Sequence, residues 1–193
     1  LAARGVSGVH VPFGPGRATS SEHAHWSLFG CSELPFPGRA AIEALGVGQE
    51  PPVGEPMFHL ALRATAEREG RLYLGTRARP REDAEASAAL FAALAGRSLV
   101  GVSFELMPLR TGESVLVARG AGTRDVSDTD ALFDHLHPWM RPLPLVESAD
   151  PAGAALFAQT LERWLLDSRR ILRAHPVNEQ RRRDGLPPLD VAV

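Results

Sequence analysis

The stretch MFHLALRATAEREGRLYLGT, residues 57–76, decides the fold class. Its first part alternates between apolar and more polar side chains, which is the pattern of a half-buried strand. The inward positions of that strand are Phe58, Leu60, Leu62 and Ala64. The residues EREG that follow favour a turn, and RLYLGT, residues 71–76, has the composition of a second strand. We therefore predict a β-hairpin.

Further along the chain, the same patterns predict a second hairpin and a helix between the two hairpins. Residues 99–110 alternate again, and after a turn at Thr111 and Gly112 the run ESVLVAR supplies the partner strand. Pro80 opens the intervening helix with acidic residues in its first turn, and Gly96 ends it. The predicted inner stripe of this helix is Ser87, Leu90, Phe91 and Leu94.

A long helix follows the second hairpin. Asp150 and Pro151 supply an N-cap and a first-turn proline, and the helix runs to about Ala174, where Pro176 ends it. Its apolar stripe is Phe157, Leu161, Trp164, Leu165, Ser168 and Leu172. The order β-β-α-β-β-α predicts an α+β fold of the ferredoxin-like kind. In this fold one antiparallel sheet, made of the two hairpins, is covered on one face by two helices.

The composition is that of a globular protein and excludes several functions. Apolar residues make up 44% of the 193 residues and charged residues 23%. A net charge of −2 predicts neither a nucleic-acid partner nor a membrane partner. All 21 basic residues are arginine, which excludes a lysine-dependent mechanism within these residues. The single cysteine rules out an intramolecular disulfide, and no apolar run is long enough for a membrane span, so we expect a cytoplasmic protein.

The N-terminal part carries the unusual run ATSSEHAHWSLFG, residues 18–30. Thr19 with Glu22, and Ser20 with His23, satisfy or nearly satisfy the capping-box pattern, so one interpretation is a decorated helix start. The other interpretation is a serine nucleophile. A serine at a helix start lies where phosphate is favoured, and nearby histidines can hold a metal that activates the hydroxyl. The spacing alone leaves both interpretations open.

Three blocks of the sequence, in the right order, resemble the cofactor-independent phosphoglycerate mutases, especially their archaeal-type branch. SSEHAHWSLFGCSELPFPGRAAIEALGVG, residues 20–48, is similar to the nucleophile segment of that family. VLVARG followed by SDTD, residues 115–130, is similar to a second family segment. ILRAHPVNEQRRRDGLPP, residues 171–188, is similar to a third. Together the blocks extend across almost the whole chain.

This resemblance implies a division of the chain into parts of a larger enzyme. The family belongs to the alkaline phosphatase superfamily, whose α/β core binds two divalent metal ions, Mn²⁺ or Mg²⁺. Residues 1–55 would be a nucleophile-bearing piece of that catalytic lobe, residues 56–177 an inserted substrate-binding α+β domain, and residues 178–193 the return to the lobe. The chain would then be a fragment without most of the metal ligands, so we expect no bound metal and no activity from it alone.

The resemblance also implies a reaction and a set of site residues. The reaction is the glycolytic isomerisation of 3-phosphoglycerate to 2-phosphoglycerate through a phosphoserine intermediate, so the implied partner is a small phosphorylated metabolite. Ser21 would be the nucleophile and a metal ligand. The implied substrate-binding residues are His25, Arg77, Arg79, Arg119, Asp128, Asp130, Asn178 and Arg181.

The remaining histidines are predicted to be structural. Four of them match no position of the family motifs, namely His10, His59, His135 and His137. His175 is predicted either to cap the C-terminal end of the long helix, where a cation is favoured, or to contact the substrate.

Two other functions stay open. A relative on the same scaffold could transfer phosphate to or from another small metabolite, as proposed homoserine kinases do. His23 would suit a changed substrate, because the family more often has threonine or valine there. The chain could also be a non-catalytic module that binds phosphorylated ligands. Metal-binding Asp/His clusters elsewhere in the gene product would favour an enzyme.

Overall fold

The computed structural model describes residue 5 and residues 21–109, 112–130 and 136–193. The capping residues Thr19 and Ser20, the turn residue Thr111, and His10 and His135 lie outside this part. The chain splits into two units, Leu1–Arg39 and Ala40–Val193.

The predicted short helix of the nucleophile segment is present. Helix α1 (Ser21–Trp26) continues into a π-helical turn, Ser27–Cys31. The turn contains Gly30 at a φ of 82°, a left-handed conformation that glycine adopts without steric cost. A second helix of this part of the chain is α2 (Arg39–Gly46), which ends at a glycine.

The unit Ala40–Val193 contains two antiparallel sheets of four strands. Their strand orders are β1-β6-β5-β4 and β7-β3-β2-β8. The strands are β1 (Met57–Leu60), β2 (Leu62–Arg68), β3 (Arg71–Arg77), β4 (Arg97–Leu99), β5 (Val102–Pro108), β6 (Ser114–Gly120), β7 (His137–Pro138) and β8 (Val191–Ala192). The helices are α3 (Ala84–Ala92), α4 (Pro151–Ala174) and α5 (Pro176–Arg183). No helix in the described part is long and apolar enough to cross a membrane.

The α+β class is confirmed, but the prediction of one sheet is wrong because the two hairpins belong to different sheets. The hairpins β2–β3 and β5–β6 form as predicted. The first predicted strand, however, breaks at the buried residue Ala61, which exchanges backbone hydrogen bonds with Val193. The strand before the break pairs with β6, and the strand after it pairs with β3 and β8. The alternation of apolar and polar residues gives no sign that the chain passes from one sheet to the other. Leu60 and Leu62 both enter the same core, although they belong to different sheets.

The helices α3 and α4 complete the core with the stripes that their spacing predicts. Every residue of the two predicted stripes is buried. Phe104 stacks on Trp164 with ring centroids 5.2 Å apart, and Phe58 stacks on Phe157 at 5.9 Å. Full burial of one large apolar side chain contributes about 1.5–3 kcal/mol, so these stripes hold the second unit together.

The segment after α4 forms a helix that the sequence patterns did not predict. His175 separates α4 from α5, and its Nδ1 accepts a hydrogen bond from the backbone N–H of Val177 at 3.2 Å. The side chain therefore caps the start of α5. Pro176 ends α4, as predicted, and also occupies the first turn of α5.

Asn178 joins this helix to the last strand. Its side chain is fully buried, and Nδ2 donates to the carbonyl oxygens of Leu172 at 2.8 Å and Leu189 at 2.9 Å. Its Oδ1 accepts from the N–H of Leu189 at 2.8 Å. The amide therefore satisfies three backbone groups at once.

We expect Asn178→Ala to lower the free energy of unfolding by about 3 kcal/mol, because it leaves buried polar groups without partners. Urea unfolding followed by circular dichroism measures this change. Gln180→Ala is the matched control, since Gln180 is exposed on the same helix and should change stability by under about 0.5 kcal/mol. Equal effects of the two substitutions would contradict the structural role of Asn178.

Candidate functional site

A carboxylate in the predicted SDTD segment gathers two arginines and a histidine. Asp130 Oδ1 accepts from Nη1 of Arg63 at 2.7 Å and lies 2.9 Å from Nε2 of His137, and Oδ2 accepts from Nη2 of Arg77 at 2.9 Å. Burial opposes ionisation of this group, but the hydrogen bonds and charges of Arg63 and Arg77 outweigh it and hold the pKa of Asp130 below its ordinary value. The structure thus brings the predicted residues Arg77 and Asp130 into direct contact.

A second carboxylate joins two further predicted arginines. Asp83 is buried before α3, where Oδ1 accepts from Nη1 of Arg181 at 2.6 Å and Oδ2 from Nε of Arg79 at 3.2 Å. Burial alone would raise the pKa of Asp83, but the hydrogen bonds from Arg79 and Arg181 lower it to about 2. Arg181 is itself buried and also donates from Nε to the carbonyl of Pro187 at 2.9 Å.

Arg77 is the last residue of β3, and Arg79 follows it two residues later. The side chain of Arg77 is 34% exposed and that of Arg79 is 54% exposed, although each forms an ion pair with a carboxylate. A guanidinium held by one carboxylate keeps its planar fork oriented, which suits bidentate binding of a phosphate or a second carboxylate. The end of β3 is therefore a surface on which an anionic ligand can be recognised.

Three other predicted residues of this unit take no part in the ion pairs around Asp130 and Asp83. Arg119, near the end of β6, donates from Nε to Glu105 at 2.8 Å and lies 3.9 Å from Glu55. Asp128 is exposed on the loop that follows β6. Asn178, as described above, is fully buried among backbone groups.

The predicted nucleophile segment exposes its key side chains. Ser21 begins α1 and is exposed, as is His25, whose ring stacks on Phe29 with centroids 6.0 Å apart. His23 stacks on Phe36 at 4.9 Å, so the two histidines point to different aromatic partners. The exposed hydroxyl at position 21 is accessible for chemistry.

A group of metal-ligating residue types lies on the sheet that contains β1. Glu43, His59 and Glu113 each place one ligand atom within 4.8 Å of the other two. Within the described residues this is the one such group of three or more histidine, cysteine or acidic side chains.

Comparison with solved structures gives the class of protein to which this fold belongs. Over 90% of its length the chain matches the cofactor-independent phosphoglycerate mutase from Thermoplasma acidophilum, with a TM-score of 0.65 and 24% sequence identity. The match covers 45% of that mutase chain. The two sheets and their helices thus have the fold of one part of such an enzyme.

The chain belongs to the 2,3-bisphosphoglycerate-independent phosphoglycerate mutase family, whose family model matches residues 2–178. The mutase of Methanopyrus kandleri is 32% identical over 197 residues, which are 100% of this chain and 46% of that protein. A mutase of Archaeoglobus fulgidus is 34% identical over 196 residues, covering 96% of this chain and 45% of the relative. The chain therefore spans about half the length of the curated relatives it matches, and their family acts on phosphoglycerate.

The family is metal-dependent, but the described residues do not fit its catalytic metal site. The group of three metal-ligating side chains in the described part includes neither Glu22 nor His23 nor His25, the neighbours of Ser21 in sequence. A serine hydroxyl alone does not hold a divalent ion, which needs several oxygen or nitrogen ligands. We therefore derive no chemical step through a metal ion from these residues.

The sequence patterns missed several residues that organise these clusters. The alternation of the strand places Arg63 on the other face of the sheet from Leu62 and Ala64, which predicts an exposed side chain. In the structure its side chain is only 2% exposed. Asp83 is one of the acidic residues that the sequence places in the first turn of the helix opened by Pro80. The signal that would have found it is its spacing of four residues from Arg79, which permits an ion pair.

Proposed function

We propose that this chain supplies the nucleophile segment and the substrate-binding domain of a metal-dependent phosphoglycerate mutase. That enzyme interconverts 3-phosphoglycerate and 2-phosphoglycerate through a phosphoserine intermediate. The observation that carries the proposal is the family match over residues 2–178, which includes Ser21 within the nucleophile block. In the complete enzyme we expect two divalent ions, Mn²⁺ or Mg²⁺, with ligands that lie largely outside this chain.

Ser21 is the proposed nucleophile. Its Oγ attacks the phosphorus of 3-phosphoglycerate, a bond forms between Oγ and phosphorus, and the bond from phosphorus to the 3-oxygen of glycerate breaks. The 3-oxygen takes a proton and the serine hydroxyl loses one. In the second half-reaction the 2-hydroxyl of glycerate attacks the phosphorus of phosphoserine. A bond forms between the 2-oxygen and phosphorus, the bond between phosphorus and Oγ breaks, the 2-hydroxyl loses its proton, and Oγ of Ser21 takes one up. The exposure of the Ser21 side chain supports this role.

The arginines at the end of β3 are proposed to bind the anionic groups of the substrate. Arg77 and Arg79 are partly exposed and are oriented by the carboxylates of Asp130 and Asp83. In this arrangement Asp130 is a positioning residue, because it acts on the substrate through Arg77. The other proposed substrate-binding residues are His25, Arg119 and Asp128, with Asn178 and Arg181 holding the C-terminal part of the domain in place.

The domain boundaries are proposed from the same resemblance. Residues 56–177 form the inserted domain, and residues 1–55 and 178–193 belong to the catalytic lobe. Every strand of the described part except β8 lies within residues 56–177, which supports this division. Strand β8 pairs with β2 from within the return segment.

A non-catalytic phosphate-binding module is the second candidate function. A complete gene product without metal-binding Asp/His clusters would favour it, because such a protein could not activate the hydroxyl of Ser21 in this way. Such a module would bind 3-phosphoglycerate or a related phosphorylated metabolite without turning it over.

An enolase-coupled assay on the complete gene product, with 3-phosphoglycerate and Mn²⁺ and without 2,3-bisphosphoglycerate, tests the proposal. We expect turnover, and we expect Arg77→Ala to raise KM by about 10- to 100-fold, because a charge-assisted hydrogen bond contributes about 1.5–3 kcal/mol. Arg71→Ala is the matched control, since Arg71 is exposed on the same strand.

Three outcomes separate the candidates. Turnover with the expected KM change supports the mutase and the role of Arg77. Binding of 3-phosphoglycerate without turnover, in folded and metal-loaded protein, overturns the mutase and supports the binding module. Turnover of another phosphorylated metabolite in its place, for example one formed from homoserine, overturns the assignment of substrate.

A further inference from the structure

Glu43, His59 and Glu113 meet because α2 packs on one face of the sheet that contains β1. Along β1, Phe58 and Leu60 enter the main core, so Met57 and His59 project to the opposite face. On that face Ala40 of α2 packs with Val115 and Val117 of β6. Glu43 lies one helical turn beyond Ala40, and Glu113 directly precedes β6.

The two ring nitrogens of His59 have different surroundings. Nδ1 lies 2.7 Å from Oε2 of Glu43, and an ionised carboxylate can only accept a hydrogen bond, so Nδ1 is the donor. Nε2 lies on the other side of the ring, 3.8 Å from Oε1 of Glu113, which exceeds hydrogen-bonding distance.

Nε2 of His59 is buried and has no hydrogen-bonding partner among the residues that the structure describes. The side chains around it are largely buried, with exposed fractions of 15% for His59, 23% for Glu43 and 24% for Glu113. A buried polar atom without a partner is costly and calls for an explanation such as an ion. As a neutral imidazole the ring presents at Nε2 the lone pair that metal ions bind.

We propose that this group is a binding site for one divalent transition-metal ion, such as Zn²⁺, Co²⁺ or Mn²⁺. Nε2 of His59 and the carboxylate of Glu113 are the ligands, with water in the remaining positions. Glu43 is a positioning residue, because its carboxylate accepts from Nδ1 and holds the ring with Nε2 towards the ion.

Distance and charge both fit this assignment. Ligands about 2.0–2.2 Å from a tetrahedral ion lie roughly 3.3 Å from one another, so the observed 3.8 Å between Nε2 and Oε1 needs a shift of only a few tenths of an ångström. With a neutral imidazole the three side chains carry two negative charges, which one divalent ion neutralises. The mixture of imidazole and carboxylate ligands suits Zn²⁺ or Mn²⁺ better than Ca²⁺.

Cobalt titration of the complete gene product, stripped with EDTA, tests this site. Absorbance between about 500 and 650 nm reports Co²⁺ bound to protein ligands, and Zn²⁺ is then added as a competitor. We expect wild type to bind one equivalent more than His59→Gln and Glu113→Gln. Glu43→Gln should bind that equivalent about 10- to 100-fold more weakly, as is usual for a carboxylate that orients a ligating histidine.

Glu105→Gln is the matched control, because Glu105 is a glutamate on the same sheet whose partner is Arg119. It should bind cobalt with wild-type stoichiometry. The two ligand variants are close in volume to the native residues, and either one serves if the other fails to fold. Equal stoichiometry in wild type and in the folded ligand variants would overturn the site, and His59 would then be an ion-pair partner only. The readout is metal uptake, so it does not depend on mutase activity.

Discussion

Ser21→Ala should reduce mutase turnover by on the order of 10⁴-fold or more, because removal of a covalent nucleophile abolishes both half-reactions. The alanine methyl cannot form the bond to phosphorus. Ser21 is exposed at the start of α1, so the substitution removes little packing and the protein should unfold at the wild-type temperature. The measurement is the enolase-coupled rate, together with incubation of the enzyme with 3-phosphoglycerate and detection of phosphoserine by mass spectrometry.

Two controls make this result specific. Ser27→Ala changes a serine of the π-helical turn that follows α1, and it should leave the rate within a few-fold of wild type. Ser20→Ala tests the register of the resemblance, because the motif offers two adjacent serines. Loss of turnover in Ser20→Ala with retention in Ser21→Ala would move the nucleophile by one residue. Retention in both would contradict a phosphoserine mechanism.

Local patterns were enough to predict most of the helices and strands. The stripe of α4 follows from its helical spacing, and the helix runs between the predicted residues Pro151 and Ala174. Hairpins were predicted because each consists of adjacent segments whose alternation and turn residues lie within one short window. The division into two sheets was not predictable in this way. It depends on a single residue, Ala61, whose partner Val193 lies at the other end of the sequence.

The clusters of charged side chains were predicted only in part for the same reason. The family motifs indicated Arg77 and Asp130 separately, and the structure adds Arg63 and His137 as further partners of Asp130. His59 was predicted to be structural because it matches no family position. Its neighbours Glu43 and Glu113 come from a helix and from a hairpin turn that are distant in sequence. Spacing along one chain does not reveal a group assembled by the packing of α2 on β1 and β6.

The buried carboxylate of Asp83 should contribute strongly to the stability of this unit. We expect Asp83→Ala to lower the free energy of unfolding by about 3–5 kcal/mol, since it leaves a buried guanidinium without its counter-charge. Arg181 is 8% exposed, and Asp83 accepts its hydrogen bond at 2.6 Å. A loss of this size is a large part of the 5–15 kcal/mol that is usual for a folded domain. Urea unfolding followed by circular dichroism measures it.

Asp184→Ala is the control, because Asp184 is exposed and pairs with Gln180 on the surface. It should change stability by under about 0.5 kcal/mol. The double variant Asp83→Ala with Arg181→Met should recover part of the lost stability, because it also removes the guanidinium charge that Asp83→Ala leaves buried without a partner. A double variant less stable than Asp83→Ala alone would show that Arg181 stabilises the fold through Pro187 and not through the ion pair.

The pH dependence of stability gives an independent test of the same carboxylate. The pKa of Asp83 is about 2 in the folded protein and near 3.8 when the chain is unfolded, so the unfolded state binds the proton more readily. Its contribution, on the order of 2 kcal/mol, is therefore fully present above pH 3.8 and is lost as the pH falls from 3.8 through 2. The difference in stability between wild type and Asp83→Ala should shrink over that interval. A difference that stays constant down to pH 2 would mean that the side chain acts by packing and by neutral hydrogen bonds, because only an ionised carboxylate loses its advantage when it is protonated.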